Sequence, residues 1–274
     1  MTESLIADCG QLLRDVATVT VSAAQVSPQP DSPMAAELSR DTDLADDDLP
    51  APFGLAHTIH RSLVYFAGER LITLAWCVEA VPQPHVISAS ELARAAAEAA
   101  ATGIWLGDAE ADGERRLRRM LGLLAQSANE ELGLRRALRL GDSNNGTQRA
   151  LQWANTRGLT HERPPTRAAR LLRARPDAAD PDYRRLSALA HSTVYAVIGT
   201  WIEVVAAQSG NIGPIRIHSV MSAAAALRYC LAGTHSMLRM ANVSLDKVSA
   251  MVDRLDDLEA EALTTAQELG WDLP

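Results

Sequence analysis

Lysine is nearly missing from this chain. Lys247 is the only one, so 25 of the 26 basic residues are arginine. That bias, with the abundant alanine, is typical of GC-rich coding sequence and carries no functional signal. Aromatic residues make up only 4 %, and β-branched runs are scarce beside alanine and leucine, which argues against sheet and for helix. The three cysteines, Cys9, Cys77 and Cys230, are far apart and form no CxxC pair. Such spacing excludes a disulfide framework and predicts reduced thiols in a cytoplasmic protein.

Other absences narrow the chemistry. Neither HExxH nor ExxH occurs, and there is no Walker loop, GxGxxG or GxSxG. His57 and His60 are three apart on one helix face but lack cysteines or acids at ligand spacing, so no metal and no cofactor is expected. The start, MTESLIADCG, has no basic n-region or apolar h-region. The longest apolar stretch, 186–207, contains Ser187, His191, Ser192, Thr193, Thr200 and Glu203, which excludes a membrane span. No repeat of fixed period is visible.

What is present is a chain of 274 residues, 47 % hydrophobic, with its charge unevenly distributed. Residues 1–114 hold 18 acids against 5 bases, 115–185 hold 16 arginines against 7 acids, and 186–274 hold 9 acids against 5 bases. A net charge of −8 therefore hides a basic middle.

Apolar periodicity predicts an all-α multi-helix bundle. Residues 3–24 read as an amphipathic helix within an N-terminal segment, 1–25. Residues 26–52, rich in Pro, Asp and Ser and ending near Asp46-Asp47-Asp48, read as a mobile acidic linker with little core of its own. The bundle itself is expected over 53–274. Its helices are expected over 53–80 (with room for one break), 89–106 behind a Ser88/Glu91 capping box, 112–140, a shorter one through Trp153, one from Asp180, and then 215–242 and 244–269. Asp180 as N-cap with Pro181 in the first turn is a strong start signal.

Three features carry candidate chemistry. Tyr183, Ser187 and His191 stand at four-residue intervals on one face of the helix from Asp180 to Gln208, with Arg184 seven residues before His191. Three stacked polar side chains on an apolar helix require partners. They form either a buried network that fixes helix register or a site in which His191 moves a proton. The second feature is Arg94 and Glu98, alone among small residues. As a solvated pair they stand in the weaker i,i+4 order, whereas a partly buried Glu98 could meet His191 or Arg118 from another helix. The third is the basic block: Arg115, Arg116, Arg118 and Arg119 at one helix start, then Arg163, Arg167, Arg170, Arg173 and Arg175. Arginine suits bidentate phosphate contact. No aromatics interleave with it, so base stacking is not indicated. The bland alternative is that the acids of 41–48 fold back over these arginines, or that they form a solvated face.

RRLSALAHSTVYAV, following ELARAAAEAAATGIWL, resembles a group of helical bacterial proteins common in actinobacteria. In these an Arg/Glu helix precedes an arginine-rich helix and then a Tyr-x3-Ser-x3-His helix. The matching positions here are Arg94, Glu98, Tyr183, Ser187 and His191, and the resemblance spans roughly 55–210. The group is similar in character to HEPN-type proteins, many of them ribonucleases of toxin–antitoxin and phage-defence systems. The Arg-x4-His signature of HEPN ribonucleases is not present, since Leu186 stands where its arginine would be. The resemblance implies an HEPN-like homodimer that handles RNA or a nucleotide without a metal. His191 would be its acid/base, aided by Ser187 and Tyr183 and oriented by Glu98. Arg94, Arg184 and Arg118 would bind phosphate. Two alternatives stand beside it: a non-catalytic module for a protein partner, and a small-molecule enzyme using the same pocket.

Overall fold

Alanine and leucine at helical spacing, punctuated by proline and glycine, fold almost everything described into α-helix. The structure is a computed structural model. It describes residues 2–80, 86–138, 145–174, 205 and 212–270, with the helix backbone alone at 2, 86–87, 131–138 and 145. In chain order the helices are α1 (Thr2–Ala24), α2 (Pro33–Ser39), α3 (Asp41–Leu44), α4 (Pro52–Glu79), α5 (Val86–Leu106), α6 (Gly113–Leu138), α7 (Asn145–Thr156), α8 (Arg167–Ala174), α9 (Gly213–Ala241) and α10 (Asp246–Glu268). Among the described residues there are no strands. None of these helices is long and apolar enough to cross a membrane.

The main core is built from α1, α4, α5, α9 and α10. Of the α1 stripe expected from periodicity, Leu5, Cys9, Leu12, Leu13 and Val16 are buried and Ile6 is partly buried. Along α5 the buried positions Ala89, Ala93, Ala96, Ala97 and Ala100 carry only methyl groups. Small side chains let a neighbouring helix approach closely, and Gly233 of α9 packs directly on Ala100. Helix α9 is buried around most of its circumference, from Ile215 through Tyr229 to Met240. A helix apolar on nearly all sides belongs in the middle of a bundle. It ends at Asn242, whose left-handed backbone (φ 55°) closes the last turn onto the carbonyls of Leu238 and Arg239. Helix α10 then turns Val248, Leu255, Leu258, Ala262 and Ala266 into the same core. The apolar stripe of α10 is thus covered within the chain.

A second, smaller core joins Phe53 and Ala56 at the start of α4 to Leu117, Met120 and Leu121 of α6 and to Ala150, Trp153 and Ala154 of α7. The Trp153 indole donates to the Leu44 carbonyl at 3.1 Å.

Residues 26–52 differ from the mobile linker their composition suggested. Ser32 caps α2 by accepting from the Ala35 N–H at 3.1 Å, with Pro33 in the first turn and Met34 fully buried. The acids are used one by one. Asp41 accepts from the Phe53 and Gly54 N–H groups at 2.7 and 2.8 Å, capping α4 from a distance. Asp46 pairs with Arg157 at 2.7 Å and Asp48 with Arg149 at 3.6 Å. Part of the acidic segment thus lies over arginines, namely Arg149 of α7 and Arg157 just beyond its end. Leu12 and Leu13 of α1 and Met34 of α2 share one buried cluster with α4, α5 and α9, so segments read apart in the sequence pack together. Helix α4 runs unbroken for 28 residues.

Candidate nucleic-acid interface

The basic block divides into buried arginines that build the fold and arginines that line a cleft. Arg116, 1 % exposed, is of the first kind. Its Nε reaches both carboxylate oxygens of Glu37, at 3.1 and 2.9 Å. Its other nitrogens donate to the carbonyls of Leu106, Asp108 and Ala111, closing the end of α5 and the turn into α6. His57 Nε2 lies 2.9 Å from the same Glu37 oxygen, Oε2, off the line of a good N–H···O bond. Burial pushes the Glu37 carboxyl up, and His57 and Arg116 together outweigh it and hold the pKa below the usual value. Arg119 is likewise buried, donating to the Trp105 carbonyl at 2.6 Å and stacking over the Trp105 ring.

The second kind gathers along α6, the connector 157–166 and α8. Arg115, Arg163, Arg167 and Arg173 line one cleft of about 940 Å3 together with His161, against the carboxylates of Glu130 and Glu162. Pro164 and Pro165 stiffen its connector wall, and the Glu162 N–H donates to the Arg118 carbonyl at 2.9 Å, fastening that wall to α6. The Glu162 carboxylate is already held by Arg115 at 3.0 Å, which lowers its pKa, with Arg119 3.5 Å away. It therefore neutralises little of the rest of the cleft. Thr166 caps α8 through the Ala169 N–H at 3.2 Å. Arg170, buried behind the wall, donates to the Pro165 carbonyl at 3.0 Å. Burial and then Arg167 press its pKa down, while Glu98 and Glu130 oppose them.

The residues singled out in the sequence are distributed as follows. Arg94 and Glu98 pair at 2.7 Å, with side chains 13 % and 17 % exposed, so they are not a solvated pair. The neighbour that Glu98 meets is Arg167, at 3.6 Å, rather than Arg118. Arg118 is half exposed and pairs with Glu114 on its own helix, outside the cleft lining. Tyr183, Arg184, Ser187 and His191 lie outside the described residues. Arg167 thus ties the Arg94–Glu98 pair to the basic cleft, a link that no single-helix pattern contains. Gly122 was also missed: its lack of a side chain lets the Glu162 carbonyl approach α6, and only a glycine interrupting an otherwise bulky leucine-rich helix hinted at it.

Among the described residues no three His, Cys, Asp or Glu side chains come together as metal ligands. Compared with protein-family models, with curated proteins and with solved structures, the chain has no significant match.

Proposed function

We propose that the chain handles RNA or a nucleotide, held by its phosphates in the cleft formed by α6, the connector 157–166 and α8. The observation that carries this reading is the convergence of four arginines and His161 on one cleft with two carboxylates, one already neutralised by Arg115 and Arg119. Guanidinium groups match phosphate oxygens bidentately. Among the described residues no Phe, Tyr or Trp lines the cleft, so contacts fall on the backbone rather than the bases, and sequence preference is weak. In this reading Arg94 and Arg167 share phosphate, Glu98 restrains both, and His191, aided by Ser187 and Tyr183, exchanges the proton of a metal-independent ribonuclease. A toxin or phage-defence setting follows from the family resemblance.

The test is binding of a labelled single-stranded RNA at low salt. Affinity that falls steeply as salt rises supports the proposal, and no binding at 50 mM salt or below overturns it. His191→Ala then separates binding from catalysis: cleavage is lost while RNA affinity and melting temperature stay near wild type.

A second reading, a module for a protein partner, is favoured by one observation. Trp76 of α4 is 73 % exposed, with Phe66 and Ile72 exposed on the same helix. RNA binding that survives Trp76→Ser unchanged assigns the two surfaces to separate roles.

A further inference from the structure

Between α9 and α10 lies another cavity, about 690 Å3, that shares no lining residue with the basic cleft. Its size falls within the ~300–1,000 Å3 usual for small-molecule sites. Arg228, Ala232, His235 and Arg239 fall at steps of four, three and four residues, on one face of α9. Val248, Val252 and Leu255 supply the opposing aliphatic wall from α10. Ala232 is the small residue that leaves the space open.

The polar groups are not equivalent. Arg228 is committed, bonding Glu259 at 2.8 Å and Asp256 at 2.7 Å. Arg239 is loosely held: its side chain is 52 % exposed, and its ion pair with the 83 % exposed Glu110 spans 3.7 Å. His235 sits one turn away on the same face. Burial, then the charge of Arg239, keeps its imidazole below the usual pKa. Asp108 at the lip is held by Arg119 at 3.2 Å, leaving the exposed Asp253 as the other acid on the rim.

We propose that this pocket binds a small amphipathic anion, its apolar body against Val248, Val252 and Leu255 and its single oxyanion head at Arg239 and His235. A charged head pairing with a half-exposed arginine gains a charge-assisted hydrogen bond in place of a weak surface ion pair. The aliphatic wall supplies the remaining affinity by burial.

The probe is 8-anilinonaphthalene-1-sulfonate, titrated by fluorescence into the folded full chain. One saturable site per chain is expected. Ala232→Trp, which fills the pocket, should abolish it, and Arg239→Gln should weaken it about tenfold. Val252→Phe fills the same space from α10 and repeats the test should Ala232→Trp melt early. The absence of saturable binding overturns the proposal. So does equal binding by wild type and a filled variant that melts normally. Binding indifferent to Arg239→Gln overturns the assignment of the anionic head.

Discussion

Gly122 and the backbone of Glu162 touch so closely that a Cβ on Gly122 would sit 1.9 Å from the Glu162 carbonyl oxygen. Within a helix, Gly→Ala ordinarily stabilises by up to ~1 kcal/mol. Here the sign reverses, because the displaced atom is backbone and cannot rotate away. Gly122→Ala should destabilise by about 1–3 kcal/mol, the usual cost of overpacking, and weaken RNA binding by shifting the connector wall. Urea unfolding with parallel RNA titration reads both. A stabilised variant would mean that the connector does not rest on α6.

The Glu37–Arg116 pair should behave as a buried, hydrogen-bonded ion pair. Arg116→Met strands Glu37 and three carbonyls, so a loss of about 3–5 kcal/mol is expected. The double variant Glu37→Leu/Arg116→Met should recover part of that loss, since no carboxylate is then left buried. A double variant no better than Arg116→Met would show that the carbonyl bonds to Leu106, Asp108 and Ala111 dominate.

His60 links the fold to pH. Its ring is fully buried, and neither ring nitrogen has a hydrogen-bond partner among the described residues. Burial foremost, then the charges of His57, Arg116 and Arg61, push its pKa down to about 3. The unfolded chain takes up that proton near pH ~6.5 while the folded one does not. Stability is therefore complete above about pH 6.5 and is lost as pH falls toward 3, with a slope approaching ~1.4 kcal/mol per pH unit from this group. His60→Leu should flatten the curve between pH 6.5 and 4.5. Parallel curves for the two proteins would place the acid sensitivity elsewhere.

Glu98 competes with phosphate for Arg94 and Arg167. Glu98→Gln should strengthen RNA binding about two- to fivefold and steepen its salt dependence, as one more cation becomes available. Weaker binding with an unchanged melting temperature would assign Glu98 to contacting the ligand directly.

The helices were legible because long amphipathic stripes have few other readings. The stripe from Leu5 to Val16 and the one from Val248 to Ala266 both lie where periodicity put them. The start of α5 was less so: Ser88 and Glu91 satisfy a capping box, yet the helix already begins at Val86. The segment 26–52 misled because its composition is that of a linker, although Ser32-Pro33 was a readable start signal. The cleft was half visible. Arg115, Arg163, Arg167 and Arg173 stand out as a basic block, but nothing local distinguishes them from Arg116 and Arg119, which turn inward. That division depends on Glu37, 79 residues from Arg116, and on Trp105 and Asp108. Pairings at such separation are tertiary facts, invisible to any window along the chain.

The most direct test of phosphate binding in the cleft is the salt dependence of RNA affinity for wild type and for Arg163→Gln/Arg167→Gln/Arg173→Gln. All three positions are exposed, so the variant should fold normally. On single-stranded RNA each lost phosphate contact lowers the slope of log affinity against log salt by ~0.7, so a drop of about two is predicted. An unchanged slope and affinity in the triple variant would contradict the assignment of this cleft to nucleic acid.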